Sequence, residues 1–135
     1  WRLTGGNSTN LGRLTLGTAA PSPPAANTLY KNSIIKGWLR FNGIGVIGMG
    51  DTLNVASLTD VAVGQYTIVW DLDFTNTQYA LAGMAQHPSA NTGAVVSITQ
   101  AGGTDVGTLD ISINDIAGTL IDCPRVNVIA IGTQT

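Results

Sequence analysis

From Thr28 to the end of the chain, apolar residues come in short runs, each cut by Gly, Asn, Asp or Thr, and several runs alternate with polar neighbours. Tyr66, Ile68, Trp70 and Leu72 share one face of an extended segment, with Thr67, Val69 and Asp71 on the other. Leu109, Ile111 and Ile113 repeat that period against Asp110, Ser112 and Asn114. A period of two is that of a strand with one face buried. The residue inventory agrees. There is no Glu, every acid is Asp, and Lys is limited to Lys31 and Lys36, so residues that favour helices are scarce. Val, Ile and Thr are abundant, and their branched side chains pack well on a pleated surface.

Eight strands are expected: Ile35 to Phe41, Val46 to Gly48, Thr52 to Leu58, Gln65 to Leu72, Tyr79 to Ala85, Ala94 to Gln100, Gly107 to Ile113 and Val126 to Ile131. Asn42-Gly43, Gly50-Asp51, Ala62-Val63-Gly64 and Gly102-Gly103 suit tight turns between them. Sequential hairpins imply antiparallel pairing, since parallel strands need long crossovers. The fold expected is therefore all-β, a jelly-roll-like antiparallel sandwich of about seven or eight strands. Val95-Val96, and Ile129 with Ile131 near Val128, are apolar on both faces, which calls for a second layer or a neighbouring subunit.

With 135 residues and 44% hydrophobic content, the chain can bury one core. Residues 1–26 differ from the rest: a Gly/Asn/Ser-rich opening, a short alternating stretch around Leu14 to Leu16, then Ala19-Ala20-Pro21-Ser22-Pro23-Pro24-Ala25-Ala26. They are read as a β segment and semi-rigid neck ahead of a head domain at 27–135. A net charge of -2, with six basic residues scattered singly, disfavours nucleic acid. So weak a charge in an apolar-leaning chain suits self-association, and a homo-oligomer is expected. No apolar run reaches membrane-span length, so no membrane insertion is expected. The lone Cys123 has no disulfide partner and is expected in the core.

Chemistry has little raw material. One His, one Cys and no Glu, with no Gly-x-Ser-x-Gly elbow, favour a chain that is not an enzyme and has no catalytic residues, metal or cofactor. Asp71 and Asp73 share a strand face if the strand continues, as a cation site or a carboxylate pair would require, but two ligands do not make a site. Gly43-Ile44-Gly45-Val46-Ile47-Gly48 superficially matches a dinucleotide fingerprint without the helix that motif needs. Trp38, Phe41, Tyr66 and Trp70 sit in strand patterns and are assigned to the core or a subunit interface, whereas Tyr30 and Tyr79 fit either core or surface. For contact with a ligand the loops are preferred: His87, Ser89 and Asn91 in one, Thr104 and Asp105 in another.

Residues Asn27-Thr28-Leu29-Tyr30-Lys31 and Ile35-Lys36-Gly37-Trp38-Leu39-Arg40-Phe41-Asn42-Gly43 are similar to a signature of distal domains in bacteriophage and prophage tail-fibre and other virion-appendage proteins. The similarity continues through Asn54-Val55-Ala56-Ser57-Leu58-Thr59-Asp60, Gly64 to Trp70 and Tyr79 to Gly83, and closes on Val126 to Gly132. Two departures stand out: Trp70 where such modules often carry Phe, and Gly37 where Ala is usual. The stretch from His87 to Asp105 has no counterpart. The resemblance implies a small β-sandwich on the phage particle surface, commonly a trimer, held to other virion proteins through its N-terminal segment. It also implies contact with the host surface, where the chain's aromatic side chains, with Asn, Asp and Thr, would suit a carbohydrate. The rival expectations are a capsid head decoration or head fibre that binds no host, and a secreted lectin-like module.

Overall fold

The computed structural model describes residues 34–90, 92–99 and 102–134; the neck assigned to residues 1–26, together with Tyr30 and Asn91, lies outside them. Eight strands run in order: β1 (Ile35–Asn42), β2 (Gly48–Leu53), β3 (Val55–Ala62), β4 (Gln65–Trp70), β5 (Ala80–Gln86), β6 (Ala94–Ile98), β7 (Thr108–Asp115) and β8 (Arg125–Ile131). They form two four-stranded antiparallel sheets, A in the order β2-β1-β8-β5 and B in the order β3-β4-β7-β6. The expected all-β sandwich is what forms.

Period-two alternation decides which side chains meet between the sheets. Sheet A contributes Leu39, Phe41, Val126, Val128 and Ala130, and sheet B contributes Tyr66, Ile68, Trp70, Leu109, Ile111 and Ile113. Phe74, Tyr79 and Cys123, from connecting segments, close the two ends of this layer. Tyr79 is therefore a core residue, and the expected burial of Cys123 holds. Trp70 meets Phe74 and Tyr79 edge-on, with ring centroids 5.4 and 6.2 Å away, while Phe74 and Tyr79 stack at 4.1 Å. Gly37 is buried against this cluster, and a Cβ there would lie 2.7 Å from the Trp70 ring. The two departures from the fibre signature are thus in contact with each other.

Asn54 explains most of the misplaced strand boundaries. It stands in the left-handed region (φ 58°) and breaks the strand expected at Thr52 to Leu58 into the end of β2 and the start of β3, passing the chain from one sheet to the other. Its side chain then grips the connection after β4: the Leu72 amide donates to Asn54 Oδ1 (2.6 Å), and Asn54 Nδ2 donates to the Leu72 carbonyl (2.9 Å). The clamp ends β4 at Trp70, so Leu72 does not continue the buried face and is 48% exposed. Gly50-Asp51, expected as a turn, lies inside β2 as a bulge. Leu39 pairs with Thr52 and Phe41 with Met49, so Arg40 alone faces two residues. The strand expected from Val46 starts at Gly48 instead, leaving Val46 92% exposed in the loop.

Tyr66, Tyr79 and Cys123 make stability sensitive to alkali. Burial raises all three pKa values; nearby Asp122 adds to the effect on Tyr66 and Cys123. Below the ordinary thiol and phenol values of 9.0 and 10.0, all three groups are protonated in both folded and unfolded chains. Above them the unfolded chain releases protons that the folded chain retains, so the stabilisation declines as pH rises. The urea midpoint is expected to be level between about pH 7 and 8, to start falling as the unfolded thiol ionises, and to fall more steeply above about pH 10 as the phenols follow. A midpoint still level at about pH 11 would contradict these assignments.

Candidate functional site

Strand direction fixes which connections share an end. The start of β1, the Asn54 crossing, the β4–β5 and β6–β7 connections and the end of β8 lie at one end, here called proximal. The β1–β2, β3–β4, β5–β6 and β7–β8 connections lie at the other, the distal end. His87 and Ser89 are therefore distal, while Thr104 and Asp105 are proximal, and the two predicted contact loops cannot build one site. Each loop also spends polar groups on itself. The Ser89 amide donates to His87 Nδ1 (2.9 Å), and the Val106 amide to Asp105 Oδ1 (2.7 Å).

Of the four aromatics assigned to core or interface, the core takes Phe41, Tyr66 and Trp70. Trp38 is half-buried on the outer face of sheet A, between Leu53 of β2 and Ile129 of β8 in the ladder. It borders an open groove of about 830 Å³ whose other lining residues include Arg40, Met49, Asp51, Pro124 and Asn127. Arg40 pairs with Asn127 across the ladder, and the β2 bulge sets Asp51 beside them. Asn42, at the groove's distal rim, folds the next loop by accepting the Ile44 amide (3.1 Å) and donating to the Ile44 carbonyl (3.0 Å). The groove brings together an aromatic ring, a guanidinium, a carboxylate and a carboxamide on strand backbone. That set can stack against an apolar ring face and both donate and accept hydrogen bonds. A clue was present in the sequence: Trp38 has the same strand parity as Arg40 and Asn42, opposite to Leu39 and Phe41.

The outer faces of the two sheets differ. On sheet B the middle strands turn Gln65, Thr67 and Val69 towards Ser112, Asp110 and Thr108, and Thr67 donates to Asp110 Oδ1 (2.5 Å). On sheet A a row of Leu53, Trp38, Ile129 and Ala82 crosses all four strands.

Several of the acids hold structure. Asp122 accepts the Gly64 amide (2.7 Å) and the Tyr66 hydroxyl (2.8 Å), tying two distal turns together. Asp115 accepts the amides of Ala117 (2.9 Å) and Thr119 (2.8 Å). Asp71 and Asp73 are exposed in the bend after β4 and not on a strand, which removes the shared strand face read from their spacing. Among the described residues no three His, Cys, Asp or Glu side chains gather as a metal site would require. The glycine-rich run at 43–48 connects β1 to β2 and opens no helix. Its Gly43 is buried where a Cβ would meet the Tyr66 hydroxyl and the Cys123 carbonyl.

No protein-family model matches the chain, and no curated protein matches it. Among solved structures it is similar to the phiAB6 tailspike, a structure described as a complex with three-repeated oligosaccharides of Acinetobacter baumannii surface polysaccharide. The likeness covers 98% of this chain and 30% of the tailspike chain, with a TM-score of 0.53 and 15% sequence identity. At that identity the likeness is one of fold, and the chain spans less than a third of the tailspike's length.

Proposed function

We propose that the chain is a structural head domain of a bacteriophage appendage, assembled as a homotrimer on the particle surface and attaching to a host-surface glycan. The observation that carries this reading is the sandwich fold, shared with a tailspike over nearly the whole chain. The fibre-like residues from Asn27 to Gly43 point the same way. Self-association is supported by large apolar side chains that stand exposed among the described residues. Along the β5–β6 edge Met84 is 75% exposed, and Val95 and Ile98 are each 52% exposed. Ile35 adds a further 43% exposed side chain beside Ile131, in a row that also holds Ala80. Bare strand edges and exposed apolar side chains together favour a covering partner.

Sedimentation at micromolar concentration is expected to give three times the chain mass, and a stable monomer would overturn the assembly. In an intact particle the domain is expected on the tail. Density on the capsid away from the tail would make it a head decoration instead.

The domain acts by binding and not by turnover. Support comes from the acids and His87, several of which hold turns. Incubation with host capsule or lipopolysaccharide is expected to release no reducing ends. Turnover abolished by Asp71→Asn would refute this.

A further inference from the structure

We propose that the groove beside Trp38 is a binding subsite for an uncharged pyranose unit of a glycan, a reading that rests on the host-glycan contact proposed above. The sugar's apolar C–H face stacks on the indole. Trp38 suits that role because its ring is half-buried between the Leu53 and Ile129 rows, which holds it in place while part of it stays open to the groove. An indole already ordered loses little side-chain freedom on binding.

The polar groups match hydroxyls. A sugar hydroxyl both donates and accepts, and the groove offers a donor in Arg40, an acceptor in Asp51 and a carboxamide that does both in Asn127. Charge favours a neutral ligand. Arg40 and Asp51 are of opposite sign and cancel within the groove, and the chain's net charge of -2 gives no attraction for an acidic polysaccharide. Size agrees as well, since about 830 Å³ falls within the usual range of small-ligand sites. Unlike the predicted loops, these four side chains stand on neighbouring strands, so the ladder fixes their spacing.

The test is an array of neutral hexose and N-acetylhexosamine oligosaccharides, printed beside uronic- and sialic-acid-containing ones and probed with the whole chain. Binding is expected on neutral glycans, and Asp51→Asn and Asn127→Ala are each expected to weaken it by roughly tenfold, the scale of one lost hydrogen bond. Both positions are exposed, so thermal midpoint and mass are expected to stay unchanged. Binding confined to acidic glycans, binding to no glycan, or binding untouched by both variants would each overturn the subsite. Loss on His87→Ala or Thr104→Ala without loss on Asn127→Ala would do the same. If the mass stays trimeric and no glycan binds, the subsite and the glycan contact fall together and the structural trimer stands; if neutral glycans bind but neither variant weakens them, the glycan contact stands and the subsite alone falls. A monomer that still binds neutral glycans through Asn127 would overturn the trimer and leave the subsite standing.

Discussion

Gly37→Ala is expected to destabilise the chain by about 1–3 kcal/mol, and adding Trp70→Phe is expected to recover most of that loss. Two effects oppose each other at position 37. Replacing Gly by Ala in a strand removes backbone freedom from the unfolded chain and alone would stabilise by roughly 0.5–1 kcal/mol. Against that, the new methyl would sit 2.7 Å from Cζ3 and 3.1 Å from Cε3 of Trp70. Trp70 cannot step aside, because it is 3% exposed and packed edge-on against the Phe74–Tyr79 stack, with its indole N–H donating to the Tyr79 hydroxyl (3.3 Å). The clash outweighs the entropy. Trp70→Phe alone leaves a void and is expected to cost about 1–3 kcal/mol, while the pair restores the combination usual in fibre modules. Urea denaturation of the four proteins measures the coupling, expected to be about 1 kcal/mol or more. Additivity to within about 0.5 kcal/mol would show that the two departures are independent.

Tyr66→Ala is expected to cost about 3–5 kcal/mol, a large share of the roughly 5–15 kcal/mol that a domain commands. The ring is 1% exposed and meets Phe41 edge-on with centroids 4.8 Å apart, so truncation leaves a void between the sheets. The hydroxyl donates to Asp122 and lies 3.3 Å from the Gly43 carbonyl. Tyr66→Phe separates the contributions: it keeps the ring, leaves Asp122 with the Gly64 amide, and is expected to cost only about 1–2 kcal/mol. Equal losses from the two variants would place the stabilisation in the hydroxyl and not in the packing.

The fold was readable because the strongest signals were local. Alternation through Tyr66, Ile68 and Trp70, and through Leu109, Ile111 and Ile113, located β4 and β7 within a residue or two. The turns at Gly64 and Gly102-Gly103 have the positive φ values that their glycines suggested. What could not be read were contacts between distant residues. Nothing near Asn54 in sequence announces that its side chain will clamp Leu72, eighteen positions on, and that clamp ended the strand early and put Asp71 and Asp73 in a bend. Gly50-Asp51 has the composition of a turn; only its pairing against Arg40 makes it a bulge. The candidate groove escaped for the same reason. Its members come from β1, β2, β8 and the segment before β8, and the chain order of those pieces gives no hint that they adjoin. Loop position favoured His87 and Thr104, but strand direction sends their loops to opposite ends.

The bulge in β2 carries a consequence for heredity. Gly50 faces the Arg40 carbonyl so closely that a Cβ would lie 3.3 Å away, which favours a residue without a side chain there. Losing one codon from this stretch would leave a single residue opposite Arg40 and restore regular pairing, while Thr52 and Met49 keep Leu39 and Phe41 as partners and keep their faces. The groove wall would change while Trp38, Arg40 and Asn127, on other strands, kept their places. Chains built on this sandwich can therefore diverge in what the groove admits through insertions and deletions in an edge strand, without a single substitution in its floor.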